Sequence, residues 1–289
     1  MKYLVIAILL GGCTVERQDS TWQDQRFDDM GADVGLTIDA GLGEGPGAGT
    51  MAGTWLMLHE GSTCVINDEQ LTHAWYVVEI QETDRVMQES RKLCRVDLSP
   101  ILGLRVIIPE VVRDSIEFID VDRGYASSLR VGGSYSSSTE LALWGLDLEN
   151  PLDDVLPAQA SDPRVIDSDN DEQPGVTFEI ENSTCRRYQG QRQIIRYDGV
   201  FATPNAVEGS SINVTDIKVY GSTEPLCGIA PPVISNDAHS RFRMVRVDGA
   251  GGAIDLDSNG DGQISCEEAA PAFDEVMTIR SADRANCAR

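Results

Sequence analysis

The chain has 289 residues, with 47 acidic against 23 basic side chains and a formal net charge of −24. This excess of negative charge argues against nucleic-acid binding, because the phosphate backbone demands a positive surface. The length suffices for one large domain or two small ones. We interpret most of the carboxylates as a solvated acidic exterior.

The first residues predict export. Met1-Lys2-Tyr3 is a positive start, and a short apolar run follows it as far as Leu10. Such a run is too short to span a bilayer, which takes about 20 apolar residues. We therefore interpret residues 1–12 as a signal peptide and exclude them from the fold.

The end of this signal, Leu10-Gly11-Gly12-Cys13, resembles the lipobox of bacterial lipoproteins, in which small residues precede an invariant cysteine. The resemblance implies that Cys13 carries the lipid, including palmitate-like acyl chains, and that these chains anchor the protein in a membrane. The alternative is an ordinary secretory signal with a chance cysteine. Thr14 replaces the aspartate that holds lipoproteins at the inner membrane, which favours an outer-membrane location in the cell envelope, on either face.

Residues 13–52 are predicted to be a lipid-anchored, disordered tether. The segment is polar and acidic, and it then becomes glycine-rich between Gly41 and Gly49. A stretch of this composition cannot bury enough apolar surface to order itself.

From Gly53 to residue 248, short β-rich runs separated by turn residues predict a mainly β domain. Within one run, the alternation of Val176, Phe178 and Ile180 predicts that these three side chains face a core. Many short strands of this kind favour an antiparallel barrel or sandwich. The candidate strands are 54–60, 74–81, 92–96, 104–109, 115–121, 128–131, 141–144, 176–181, 192–200, 212–220 and 241–248.

Two short patterns bear on the kind of β domain. The same tripeptide follows the first predicted strand of each half of the β domain, as Ser62-Thr63-Cys64 and as Ser183-Thr184-Cys185. This repeat suggests two related halves, at about 53–146 and 175–248. A chance repeat is the alternative. Gly53-Thr54-Trp55 resembles the Gly-x-Trp opening of lipocalins, which implies a barrel that carries a small apolar ligand. A core tryptophan at the start of any β domain is the alternative.

Six cysteines remain beyond Cys13, and an exported chain is expected to oxidise them to disulfides. Sequence neighbours can staple local hairpins, so we predict sequential pairing. The predicted pairs are Cys64 with Cys94, Cys185 with Cys227, and Cys266 with Cys287.

The C-terminal region, residues 249–289, contains the strongest chemical motif. The run from Asp257 to Glu268 fits the twelve-residue EF-hand calcium loop, in which oxygens at alternate positions replace the water shell of the ion. Gly262 permits the turn, and the poor flanking helices resemble dockerin-type structural sites more than regulatory ones. The predicted Ca²⁺ ligands are Asp257, Asn259, Asp261, Gln263 through its carbonyl, Ser265 and Glu268.

A second acidic loop is a further candidate for calcium. Asp167, Asp169 and Asp171 match the first three EF-hand ligands and precede Pro174-Gly175-Val176-Thr177, a pattern similar to one in uncharacterised exported bacterial lipoproteins. Glu172, however, stands where the turn glycine is expected. A solvated acidic linker is the alternative.

No zinc-protease, nucleophile-elbow or phosphate-loop motif is present, so an enzyme is not expected. The sequence favours a calcium-binding, lipid-anchored envelope protein with a structural, adhesive or partner-binding role. Two alternatives stay open: a lipocalin-like carrier of a small apolar ligand, and a secreted hydrolase with an unrecognised site. A deep apolar cavity favours the carrier, and a cleft with two inward carboxylates of perturbed pKa favours the hydrolase.

Overall fold

The computed structural model describes residues 45–225, 227–229 and 233–287. The lipobox, Cys13 and the tether as far as residue 44 lie outside these described residues. Within them, no helix has the length and apolar character that a membrane span requires.

Antiparallel β structure dominates, as the sequence predicts, and the helices are no longer than five residues. The strands are β1 (Gly53–Val65), β2 (Asp68–Thr83), β3 (Val86–Leu98), β4 (Val106–Ile107), β5 (Glu117–Asp120), β6 (Gly124–Ala126), β7 (Ser134–Ser136), β8 (Glu140–Trp144), β9 (Val176–Ile180), β10 (Arg186–Thr203), β11 (Ala206–Ser222), β12 (Val233–Ser235) and β13 (Arg241–Arg246). The α-helices are α1 (Glu110–Asp114), α2 (Cys266–Ala269) and α3 (Phe273–Val276).

Backbone pairing closes the sheet into a ring. The order is β11, β13, β1, β2, β3, β6, β7 and β10, and β10 pairs back with β11. Along its other edge, β10 pairs in succession with β7, β8 and β9. Strands from both predicted halves thus build one ring, and the duplication itself stays a prediction.

Buried residues fill both faces of the ring along β1. Trp55 and Met57 point into the interior core. Side chains alternate along a strand, so Leu56 and Leu58 point outwards, yet they too are at most 1% exposed. The outer face of β1 must therefore be covered by another part of the chain.

The C-terminal segment provides that cover. Phe273 of α3 lies against Trp75 of β2, with ring centroids 6.1 Å apart, and its carbonyl accepts a hydrogen bond from the Trp75 indole N–H at 3.3 Å. Ala269 of α2 and Val276 of α3 are also fully buried. The short helices are stable here because they bury apolar side chains, since isolated helices of this length do not persist in water.

Two disulfides fix this segment to the ring, and they correct the predicted pairing. Cys64 bonds Cys287 and Cys94 bonds Cys266, so the predicted pairs Cys64–Cys94 and Cys266–Cys287 are wrong. The third pair, Cys185–Cys227, is confirmed.

The strand register explains the error. Cys64 lies opposite Glu69 on β2, whereas Cys94 lies beside the bulge at Trp75 and Tyr76. At about 3.3 Å per residue the two cysteines are roughly 20 Å apart along the strands, and a disulfide needs Cα atoms within about 7 Å. Residues close in sequence are separated here because β1 to β3 are long.

A buried carboxylate also holds the C-terminal segment. Glu60 of β1 accepts hydrogen bonds from His73 at 2.9 Å, from the Arg241 side chain at 2.8 Å, and from both the backbone and the side chain of Arg280. Burial opposes ionisation of Glu60, but His73, Arg241 and Arg280 together lower its pKa to about 2. The carboxylate is therefore charged and compensated, as buried charges must be.

Three local features differ from the sequence predictions. The predicted strand 128–131 is the turn of the β6–β7 hairpin, because Gly132 takes a left-handed backbone conformation (φ 81°) and Gly133 N bonds Arg130 O. Strands β6, β7 and β12 were not predicted. Met51 is fully buried in the core, so packing begins before Gly53, where we predicted the β domain to start.

Candidate functional site

The ring interior is solid at one end and hollow at the other. The hollow is a cavity of about 420 Å³, lined by inward residues of β1, β2, β3, β10 and β11 and by the segment 101–108. A volume in this range accommodates a small-molecule ligand.

The cavity follows from the size of inward-facing residues. On β1 the interior positions change from Trp55 and Met57 at the filled end to Gly61 and Thr63 at the open end. On β2 the residues opposite Gly61 and Thr63 are Thr72 and Gln70, which also line the cavity. Protein interiors are close-packed, so the small inward residues at this end of β1 leave space that the facing side chains do not fill.

The cavity reaches the surface through an apolar rim. Ile66, Leu102, Leu104 and Ile229 line it, yet each is about 60% exposed. Isolated exposed apolar residues are ordinary, but a group around one opening marks a binding surface for an apolar molecule.

Charge is almost excluded from the lining. It contains no carboxylate among the described residues, although the chain as a whole carries a net charge of −24. The residues able to carry positive charge are His59 and Arg187. His59 bonds the Ser211 hydroxyl at 2.8 Å, and burial lowers its pKa to about 3, so the imidazole is neutral near pH 7.

Uncharged polar side chains line the cavity on β10 and β11, and Thr63, Gln70 and Thr72 add others from β1 and β2. Gln191 and Gln193 face the cavity from β10, and Asn213 and Thr215 face it from β11. The wall formed by β3 and the segment 101–108 is aliphatic. A ligand in this cavity would therefore meet one apolar wall and, elsewhere, uncharged hydrogen-bonding groups.

The inward carboxylates of the ring lie outside this cavity. Glu89 and Glu140 both bind Arg91, which reaches Glu140 at 2.7 Å, and Glu89 also accepts a hydrogen bond from the Tyr135 hydroxyl. Burial raises the pKa of Glu89. Neither Glu89 nor Glu140 lines the cavity.

No family model, curated protein or solved structure matches this chain.

The predicted C-terminal calcium loop folds around its own first and last carboxylates. Asp257 accepts hydrogen bonds from the backbone N–H groups of Gly260, Asp261 and Gly262. Glu268 accepts from Ser258 and Ser265, which lowers its pKa to about 2. The remaining predicted ligands, Asn259, Gln263 and Ser265, lie within the same exposed loop.

The second acidic loop adopts the same backbone pattern. The carboxylate of Asp167 accepts hydrogen bonds from the backbone N–H groups four and five residues later, and that of Asp257 does the same. In each loop a later aspartate, Asp171 or Asp261, accepts a hydrogen bond from the backbone N–H two residues further on. Glu172 stands at the turn position with φ 66°, close to the 80° of Gly262. Glu172, which has a Cβ, therefore takes the left-handed conformation for which the sequence analysis expected a glycine.

The two loops differ in how their carboxylates converge. Within the described part of the chain, the group of three whose oxygens all lie within 4.8 Å of one another is Asp167, Asp169 and Asp171, and the C-terminal loop forms no such group. Asp169 is only 5% exposed, and its Oδ1 has no hydrogen-bond partner. Burial raises the pKa of Asp169, which a bound cation would counteract.

Sequence reasoning did not identify the cavity residues. The available signal was the change from large to small residues at alternate positions of β1, from Trp55 and Met57 to Gly61 and Thr63. This signal needs the strand register and the ring closure before it predicts a hollow.

Proposed function

We propose that this protein binds a small, largely apolar molecule inside the ring and acts as a carrier or receptor for it. The observation that supports this function is the cavity of about 420 Å³, open through an apolar rim and free of carboxylates among the described residues. The opening Gly53-Thr54-Trp55, which resembles that of lipocalins, is consistent with it. The same ring without a cavity would favour a purely structural role.

A matched pair on β11 tests this function. Thr215 lines the cavity, and its neighbour Val214, of nearly the same size, is 38% exposed and lies on the alternate face. We expect Thr215→Trp to weaken binding of the neutral fluorophore phenylnaphthylamine about tenfold or more, because an indole would occupy ligand space and 1.4 kcal/mol corresponds to a tenfold change.

Val214→Trp is the control and should leave the affinity for the fluorophore unchanged. Fluorescence titration measures both constants, and thermal melts verify that both variants fold. Equal affinity of the two variants, or no saturable binding by the parent chain, would exclude the cavity as the binding site.

For the anchor, we propose that lipidation of Cys13 attaches the protein to the cell envelope, at the outer membrane. The lipobox resemblance supports this location, and no nucleic-acid partner is expected. A carrier fixed by its N-terminus would exchange its ligand with the membrane or with another envelope component. The structural or adhesive role and the hydrolase remain alternatives with less support from the geometry.

We further propose that Ca²⁺ binds both acidic loops and stabilises the fold. The support is their shared hydrogen-bond pattern, together with the convergent triad and the unpartnered Oδ1 of Asp169. The C-terminal loop precedes α2, so an ion there would hold the segment that covers Trp75.

Calorimetry of the full chain with calcium is expected to give two sites, with affinities on the order of 10⁻⁴–10⁻³ M, as in extracellular modules. Asp257→Asn should remove one site and Asp169→Asn the other, because each loses a carboxylate ligand. Asp274→Asn, on the exposed side of α3, is the control and should keep both. An unchanged calcium isotherm in a loop variant would rule out the corresponding site.

A further inference from the structure

Arg187 is an unpaired cation at the wall of an apolar cavity. It follows Cys185 near the rim, and both residues line the cavity. Its side chain forms no ion pair with any carboxylate among the described residues, and its Nε is buried without a hydrogen-bond partner. Burial lowers the pKa of Arg187, and no neighbouring carboxylate counteracts this effect.

The neighbouring arginine on the same strand does have a partner. Arg186, the preceding residue, pairs with Glu179 at 3.1 Å on the outside of the sheet. With 47 acidic side chains in the sequence, a partner for Arg187 would be easy to supply. Arg187 is partly buried, and removing a charge from water without a partner is costly, so this position favours a counter-ion that a ligand supplies.

A second donor without a hydrogen-bond partner in the described structure, the indole N–H of Trp144, lies beside Phe178, the ring that the Arg187 guanidinium also contacts. The Trp144 side chain lines the cavity and is 5% exposed, and its indole N–H has no hydrogen-bond partner within the described structure. Trp144 packs edge-on against Phe178 with centroids 5.7 Å apart, and the Arg187 guanidinium lies 5.8 Å from the Phe178 centroid. One cationic and one neutral N–H donor therefore flank Phe178.

We propose that Arg187 and Trp144 bind an anionic head group, so that the ligand of the cavity is an amphiphile with an alkyl or similar apolar body and a carboxylate or phosphate head. Here we build on the binding role proposed above. Arginine forms strong charge-assisted hydrogen bonds with either anion. The head lies towards the rim at Arg187, and the apolar body extends past the aliphatic wall into the cavity.

Displacement of phenylnaphthylamine from the full chain by a series with one tail and different heads tests this assignment. We expect dodecanoate or dodecyl phosphate to bind at least about tenfold more tightly than dodecanol, because a hydrogen bond to a charged group adds that much affinity or more. Whichever of these two anions binds more tightly identifies the preferred head group as carboxylate or phosphate. Dodecyltrimethylammonium should bind most weakly.

Substitution then locates the anion site. Arg187→Met should weaken anion binding about tenfold to a hundredfold and leave the dodecanol constant unchanged, since a methionine keeps the apolar contacts. Arg187→Lys should retain part of the preference for the anions over dodecanol. Trp144→Phe should reduce it by a smaller factor, because it removes one neutral donor. Arg186→Met, which alters the outward neighbour, is the matched control and should bind the series like the parent chain.

Two different failures are distinguishable. If dodecanol binds as tightly as the anions, or if Arg187→Met leaves the ratio unchanged, the anion site is wrong while the carrier function stands. If no member of the series displaces the fluorophore and Thr215→Trp has no effect on its binding, the cavity is not a binding site and both proposals are wrong.

Discussion

Arg91→Leu is expected to destabilise the fold by about 3–5 kcal/mol, because removing one partner of a buried ion pair leaves uncompensated charge. The Arg91 side chain is 1% exposed and lies between Glu89 and Glu140, with the Tyr197 ring centroid 5.1 Å from its guanidinium carbon. Without it, two carboxylates share a buried space with no cation. Urea unfolding monitored by tryptophan fluorescence gives the change in free energy of unfolding.

The control for this change is Arg105→Leu. Arg105 pairs with Glu181 at 3.8 Å on the surface, where loss of an ion pair costs about 0–1 kcal/mol. Adding Glu89→Gln and Glu140→Gln to Arg91→Leu should restore part of the stability, since the repelling charges are gone. An Arg91→Leu variant as stable as the Arg105→Leu variant would show that the buried charges are compensated in some other way.

Removal of the disulfide Cys64–Cys287 by paired serine substitution should lower the free energy of unfolding by about 2–5 kcal/mol. The bond closes a chain segment of 223 residues, and Cys94–Cys266 closes one of 172, so both restrict the unfolded chain strongly. Their loss would also release the C-terminal segment from the outer face of β1, where Leu56 and Leu58 would meet water. Chemical denaturation of the oxidised proteins measures the effect.

Cys185–Cys227 is the internal comparison, since it closes only 42 residues. On the chain-entropy model its removal should cost about 1.5 kcal/mol less than removal of Cys64–Cys287. Peptide mapping without reduction should recover a fragment that joins Cys64 to Cys287. A fragment joining Cys64 to Cys94 would contradict the connectivity and the register from which we explain it.

The β class and most strands could be predicted from the sequence because short β-rich runs separated by turns are a local signal. The pairing of Cys64, Cys94, Cys266 and Cys287 could not, since it depends on how far strands extend. Strand β10 runs for 18 residues, whereas the pattern predicted only 192–200. The run Trp55-Leu56-Met57-Leu58 did hold a clue, because continuous apolar residues in a strand predict burial on both faces.

The turns of the two acidic loops were predictable because the residues that form them are close together in the chain. In the structure, Asp167 and Asp257 each accept hydrogen bonds from the backbone N–H groups four and five residues later; calcium binding by these loops stays a proposal. The cavity was not predictable in this way. Arg187, Trp144 and Phe178 belong to three strands, and nothing local connects them before the sheet is assembled.

Two of the three disulfides, Cys185–Cys227 and Cys64–Cys287, lie at the end of the ring where the cavity opens. Cys185–Cys227 lines the cavity itself, and Cys64 lies close to the end of β1, beside the rim residue Ile66. If the cavity binds a ligand as proposed, we expect its opening to widen by small movements of loops and not by separation of strands, because these disulfides connect the strands and loops around it. The dissociation rate of a bound ligand would then depend on the redox state of the compartment. An oxidising compartment keeps the disulfides intact and favours slow release. A reductant would speed release, while backbone pairing keeps the ring closed.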